Sequence, residues 1–296
     1  MKFGKLPNEE LDGLDLTLPA DHSKNTEIIK KYKTDVTPRV YVGCAKWGRK
    51  EWVGQIYPEG TKDKDFLANY VKNFNSIELN GTFYSAKRAN VESWAETAPE
   101  GFKFCPKFSR LITHIRRLNN AEENTEYYID TMSQFGDNLG VCFLQLPENF
   151  GPKKFDVFSS YMEKLPNDFP VTVELRHKDW FGDKTVFDET FSMLEENNKG
   201  AVITDVAGRR DCVHQRLTNG TAFIRFNGYD LHPSDYKRLD QWVERIKSWL
   251  DQGLPEVHFY AHQEDETHTP ITADYFIKKL NAACGLDLAR PNFIGE

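Results

Sequence analysis

From residue 39 onward the hydrophobic positions of the 296-residue chain alternate between two rhythms. Short apolar runs occur at residues 40–47, 76–83, 102–108, 139–147, 171–177, 200–206, 222–228 and 256–263. Their length and their flanking turn residues predict buried strands. Between them lie segments with helical spacing, among them 63–74, 155–165, 235–250 and 271–283. The third is the clearest: Tyr236, Leu239, Trp242, Val243, Ile246, Trp249 and Leu250 make one apolar stripe at the 3.6-residue period.

Eight strands, each followed by a helix-sized segment, predict an α/β fold, a single (β/α)8 TIM barrel with an N-terminal extension. A doubly wound open sheet would need a glycine-rich phosphate turn after its first strand, and "GCAKWGRKEW" is not one. The expected organisation is an N-terminal arm (1–38), the barrel (39–284) and a C-terminal tail (285–296). The arm is polar, with a short helix over 25–32, and is expected to lie on the barrel or to be partly disordered alone.

Side chains alternate across a strand, so parity sorts barrel interior from helix layer. In "VTVELRH" (171–177), Thr172, Glu174 and Arg176 share one face, and Val173 and Leu175 the other. The apolar face belongs against the helices, which sends Glu174 and Arg176 inward near the C-terminal rim. The same alternation turns Glu78 and Asn80 inward on strand two, Cys105 and Lys107 on strand three, and Gln145 on strand four. It adds Asp205 on strand six, Arg225 and Asn227 on strand seven, His258, Tyr260 and His262 on strand eight, and Lys46 beside Cys44 on strand one. Buried charge is costly unless it is paired or used. The structural alternative is a satisfied ion-pair network closing the core; the favoured reading is a ligand site, because barrel sites lie at this face.

Charge sharpens the picture. The chain has 38 basic and 45 acidic residues, net −7, so a polyanion is not the expected partner of the whole molecule. Yet the segment after strand three carries Lys107, Arg110, Arg116 and Arg117 with no acid, and the one after strand six adds Arg209, Arg210 and Arg216 against Asp211. By contrast "QEDETH" after strand eight is acidic, so one side of the mouth is expected to be positive and to hold a small anion. No apolar run reaches the roughly 18 residues of a membrane helix, and the start of the chain lacks a signal-peptide core. Five cysteines without C-x-x-C spacing point to a reducing cytoplasm and away from structural zinc.

Six strings occur in order: "GCAKWGRKEWVGQIYP", "FNSIELNGTFY", "FCPKFSRLITH", "FLQLPENF", "VELRHKDWF" and "FIRFNG". They resemble the YecE-like family, the seventy-second family of domains of unknown function, over about residues 40–283. The resemblance implies the barrel and brings no established reaction. Its recurring positions correspond to Trp47, Glu78, Asn80, Thr82, Tyr84, Lys107, Thr113, His114, Gln145, Pro147, Glu174, Arg176, His177, Trp180 and Arg225. Three positions depart from the pattern: Lys46 replaces a small residue, Asn227 a histidine, and Ala261-His262-Gln263 an aromatic-Asn-Asn. They suggest a divergent subgroup with a relocated imidazole.

The expected function is acid–base chemistry, of isomerase or hydrolase type, on a small sugar- or phosphate-containing anion. Glu174 or Glu78 would be the base, its pKa raised by burial, with His177 or His114 as second proton carrier. Lys107, Arg176 and Arg225 would hold the anion, with Lys46, Asn80, Gln145, Asp205, Asn227 and His262 completing the substrate contacts. Trp47, Tyr84 and Trp180 would stack on a ring or exclude water. No cofactor is expected. A metal-dependent phosphodiesterase or isomerase, with Glu78, Glu174, Asp205 and His262 as ligands, is the less favoured alternative, since Lys107, Arg176 and Arg225 interleave with that set. A non-catalytic module for a nucleotide, nucleic acid or protein is the other, with nucleic acid disfavoured by net acidity. No membrane partner is expected, and no oligomeric state is assigned.

Overall fold

In a computed structural model of the chain, which describes residues 3–295, all eight apolar runs contain strands. They are β1 (Arg39–Cys44), β2 (Ser76–Leu79), β3 (Lys103–Pro106), β4 (Cys142–Gln145), β5 (Val171–Glu174), β6 (Gly200–Asp205), β7 (Thr221–Asn227) and β8 (Glu256–His262). Met1 and Lys2 of the expected arm, and Glu296 of the expected tail, lie outside the described residues. The strands pair in parallel in the order β3-β2-β1-β8-β7-β6-β5-β4. The seam between β3 and β4 is spanned by two isolated bridges, Phe104 to Leu139 and Lys107 to Phe143, which leave the barrel nearly closed. Gly140 permits this approach: a Cβ there would stand 2.7 Å from Cys105 Sγ and 2.9 Å from the Phe104 carbonyl oxygen.

The helices are α1 (Asn25–Tyr32), α2 (Phe66–Tyr70), α3 (Arg88–Thr97), α4 (Glu122–Ser133), α5 (Phe155–Lys164), α6 (Asp179–Gly182), α7 (Lys184–Glu196), α8 (Pro233–Gln252) and α9 (Thr269–Cys284). In α8 the expected stripe is the buried face, through Leu239, Trp242, Val243, Ile246 and Trp249. Pro233 at its start and left-handed Gly253 (φ 106°) at its end set its limits. No helix among the described residues is long and apolar enough to cross a membrane.

One expected helix is missing. Between β6 and β7 the chain makes only a 3-10 turn, Arg210–Cys212. Helix α1 from the arm occupies that place in the wall, between α7 and α8. Its Asn25 side chain donates to the Gln215 carbonyl at 2.6 Å and accepts from the Leu217 amide at 2.8 Å. The Tyr32 hydroxyl donates to Asn198 just past α7 (3.0 Å), and Thr26 to Gln252 at the end of α8 (3.2 Å). Ile28 and Ile29 are fully buried in the main core. The β6–β7 segment has no apolar helical stripe of its own, so the wall is completed by borrowing one.

Inside the barrel, Cys105, Val141, Phe143, Val202, Phe223 and Tyr260 form a separate buried cluster. Its polar members are satisfied: the Tyr260 hydroxyl donates to Cys105 Sγ at 2.9 Å and shares a 2.6 Å hydrogen bond with Ser76 Oγ. His258 reaches Glu256 at 2.9 Å, and burial, which opposes its charge, is outweighed by Cys105 and Glu256, raising its pKa to about 9. This filled interior supports the floor of the mouth above it.

If α1 is an integral stave of the wall, Ile29→Ala lowers the unfolding free energy by about 2–5 kcal/mol, as for a core cavity. Urea denaturation measures it. A loss under about 0.5 kcal/mol, the range of a surface substitution, would show that α1 is an appendage.

Candidate functional site

The floor of the mouth is a charge array spanning three strands. Arg225 of β7 is shared by two carboxylates. Its Nε and Nη2 donate to Glu78 Oε2 and Oε1 of β2, both at 2.7 Å, and its Nη1 donates to Glu174 Oε2 of β5, also at 2.7 Å. Arg176 Nε donates to Glu174 Oε1 at 2.9 Å, and Thr204 Oγ1 donates to the same oxygen at 3.1 Å. On Glu78, Asn80 Nδ2 donates to Oε1 at 2.8 Å and His262 Nε2 meets Oε2 at 3.1 Å. Glu78 and Glu174 are wholly buried and Arg225 nearly so.

Burial alone would raise the pKa of Glu78, but Arg225 and His262 hold it well below the usual 4.5. Burial is likewise opposed at Glu174, where Arg176, Arg225 and Lys107 lower the pKa. This corrects the expectation of a carboxyl raised toward neutrality: charge pairing outweighs desolvation at both. The deepest layer is therefore the satisfied network of the structural alternative, with two arginines against two carboxylates.

Above this floor opens a pocket of about 470 Å³, lined by Ala45, Lys46, Asn80, Phe83, Tyr84, Lys107, Arg110, His114, Gln145, Arg176, Arg225, His262 and Glu266. Lys107 continues the inward register of β3. Its Nζ donates to Gln145 Oε1 at 2.7 Å, 4.4 Å from the centroid of the Phe83 ring. No carboxylate pairs with it among the described residues. Burial, then the charges of Arg225 and Arg176, lower its pKa to about 8. His114 is half-buried and bonded to Thr113 Oγ1 at 2.8 Å; burial, then Lys107 and the arginines around it, lower its pKa to about 4. At neutral pH His114 is an uncharged imidazole beside a cluster of cations.

Several candidates lie elsewhere. Asp205 faces the helix layer: Trp242 Nε1 donates to it at 2.7 Å, Arg238 at 3.0 Å, and Arg210 also pairs with it. On β6 it is Val202 and Thr204 that point inward, so the parity assigned to Asp205 is corrected by one residue. The set Glu78, Glu174, Asp205 and His262 consequently does not converge as a metal site would require. Cys44 also packs on the helix side; β1 ends there, and Lys46 reaches the mouth from the following loop. Trp47 turns outward onto Trp94 and Phe104, edge to face at 5.2 and 6.4 Å. Trp180 is fully buried beneath the wall, its Nε1 donating to the Phe150 carbonyl at 2.7 Å. His177 accepts the Asp179 amide at 3.2 Å and packs against Gly151, outside the lining. Asn227 borders a smaller neighbouring crevice. The arginines after β6 are engaged in the structure: Arg210 with Asp205, Arg216 with Glu195, Arg209 with Asp211. Only the β3 side keeps the expected positive field.

Three contributors were absent from the sequence candidates. Thr204 could have been found by counting alternation from Val202 instead of choosing the charged neighbour. Phe83 sits in the quoted "NGTFY" string; after β2 the chain turns through a 3-10 helix, Asn80–Phe83, bringing this ring under Lys107. Phe3, whose ring lies 4.5 Å from Arg176 and 4.9 Å from Arg209, carries no signal in a short polar arm.

Residues 41–292 match the family model described as "Protein of unknown function DUF72". UPF0759 protein YecE of Escherichia coli (strain K12) is 27% identical over 251 residues, covering 78% of this chain and 89% of the relative. UPF0759 protein YunF of Bacillus subtilis (strain 168) is 26% identical over 164 residues, 53% of this chain and 57% of the relative. Among solved structures, a DUF72 family protein of Enterococcus faecalis V583 superimposes with a TM-score of 0.67 at 16% identity, over 86% of this chain and 98% of that one. One from Thermotoga maritima MSB8 gives 0.64 at 21% identity, over 82% and 99%. At these identities the structural likeness speaks for the fold.

The array makes a stability prediction. Glu78→Gln leaves a buried charge uncompensated and is expected to cost about 3–5 kcal/mol at pH 7, measured by urea denaturation. Because the folded-state pKa values of both carboxylates are lowered, their contribution is complete above the unfolded value near 4.5 and fades as pH falls through the folded values. The gap between wild type and variant therefore narrows below that pH. A gap that is small at pH 7, or independent of pH, contradicts the array.

Proposed function

The chain belongs to the DUF72 family, and on that premise we propose that the pocket at its barrel mouth binds a small sugar- or phosphate-containing anion and transfers a proton on it. The observation that supports this most is the state of Lys107. It is a half-buried ammonium whose hydrogen bond goes to a neutral amide, while the two nearest carboxylates are held by arginines. A ligand anion supplies the missing counter-charge. Lys46, Arg110 and Arg176 extend the positive wall, and Arg225 adds its charge from below. Asn80, Gln145 and Tyr84 offer neutral donors and acceptors for hydroxyls.

Lys107 and His114 are the proton carriers in this reading. A pKa of about 8 gives Lys107 both protonation states near the working pH of most enzymes. Neutral His114 can accept a proton or orient the reacting group. Glu78 and Glu174 act as positioning residues, holding Arg225 and Arg176 in place. The proposal is of isomerase or hydrolase type, draws on side chains alone, and is set in the cytoplasm, where the free cysteines stay reduced. Turnover of a bound ligand separates it from binding alone.

Sulfate tests the anion site, because it does not titrate near neutral pH. Calorimetry is expected to give an affinity that is level up to about pH 8. Above that it falls toward tenfold per pH unit, as Lys107 loses its proton. In Lys107→Met the site binds sulfate at least tenfold more weakly and without this dependence. Wild-type binding that is undetectable, or that ignores pH through this range, rejects the proposal.

A further inference from the structure

The arm divides the mouth of the barrel. Residues 3–6 cross its β6–β8 side: the Gly4 carbonyl accepts from the Gly208 amide at 2.9 Å and from the Tyr229 hydroxyl at 3.2 Å, and Lys5 pairs with Glu264. The arm is anchored behind this point by Leu11 and Leu16, which pack with Ala207 and Tyr229. Phe3 is buried against Val206 and Cys212, and its ring sits over both Arg176 and Arg209. Arg176 is itself a wall of the anion pocket. Beneath the arm remains a crevice of about 20 Å³, room for little more than a water molecule. Asn227, His262 and Gln263 line it, and His262 also lines the open pocket, so the two spaces adjoin.

We propose that Phe3 is a specificity-determining plug: it closes the half of the mouth next to Arg176 and so sets how large an anion the pocket admits. The space it fills, together with the crevice below, would receive the uncharged, hydroxyl-bearing part of a phosphoester whose anionic group sits on Lys107 and Arg176. The Asn227 amide and the His262 imidazole beneath the arm suit hydroxyls better than an apolar or a second anionic group, while the Gln263 amide is held by Asp235, Thr272 and the Asp230 N–H. The contacts that hold Phe3 down are local and non-covalent, while Leu11 and Leu16 keep the arm attached when its tip is changed. The ligand in this inference rests on the anion-binding reading above; the plug itself rests on geometry.

The test uses the full chain as wild type, Phe3→Ala and Phe3→Leu, with inorganic phosphate and a hexose 6-phosphate as probes in calorimetry. Phe3→Ala is expected to leave the phosphate dissociation constant within about twofold and to tighten hexose phosphate binding at least fivefold. Phe3→Leu, which fills similar space, is expected to keep wild-type selectivity. Hexose phosphate affinity unchanged in the Ala variant, an equal change for both probes, or a Leu variant that behaves as Ala overturns the plug.

A ligand-independent arm separates this from failure of the anion reading. Arg176 should react several-fold faster with a dicarbonyl arginine reagent in Phe3→Ala than in wild type, as read by peptide mass spectrometry. If neither probe binds wild type, the anion reading falls and the labelling rate decides the plug alone; an unchanged rate overturns it.

Discussion

Arg225 lies between two buried carboxylates, and that sharing fixes how the top of the barrel is built. Glu78 comes from β2, Glu174 from β5 and Arg225 from β7, none of them hydrogen-bonded neighbours in the sheet. Three charged groups thus clamp the barrel across its interior, while among the described residues its β3–β4 seam carries two isolated backbone bridges in place of a continuous ladder. Desolvation opposes each charge, yet fork-to-carboxylate geometry and supporting bonds from Asn80, Thr204, Arg176 and His262 satisfy the array.

The clamp also determines what the pocket can do. With both carboxylates held ionised by arginines, neither is poised as a base near neutrality. At Lys107, which has no carboxylate of its own, burial and the charges of Arg225 and Arg176 outweigh the more distant pull of Glu174 and Glu78, and its pKa drops to about 8. Two carboxylates opposite Arg225 and Arg176 sum to neutrality, so Lys107 and the outer cations leave the mouth positive on a chain of net charge −7. The local field, rather than the global one, governs what such a pocket attracts.

Much of this was legible from alternation alone. All eight strands overlap the expected runs, with β1 and β7 each starting one residue earlier, and inward parity on β2, β3, β5 and β7 brought Glu78, Lys107, Glu174 and Arg225 to one face. Family-like strings covered the same residues. The failures share a physical origin: sequence shows which face a residue takes but not where its strand stops or what it pairs with. Choosing charge over parity on β6 favoured Asp205, which serves α8, above Thr204, which serves Glu174. Trp180 and His177 follow the end of β5, where parity no longer applies. The direction of the carboxylate shifts depended on arginines arriving from other strands, a contact no single strand reveals. Helix α1 was legible as a helix but not as the substitute for a missing stave, and Phe3 gave no periodic signal at all.

The unpaired-by-carboxylate state of Lys107 is tested most directly by its own titration, followed by NMR of its side-chain ¹³Cε resonance and assigned by its loss in Lys107→Met. The expected midpoint lies near pH 8 and moves upward when sulfate is added. A midpoint near the ordinary lysine value of 10.5, unaffected by sulfate, would contradict it.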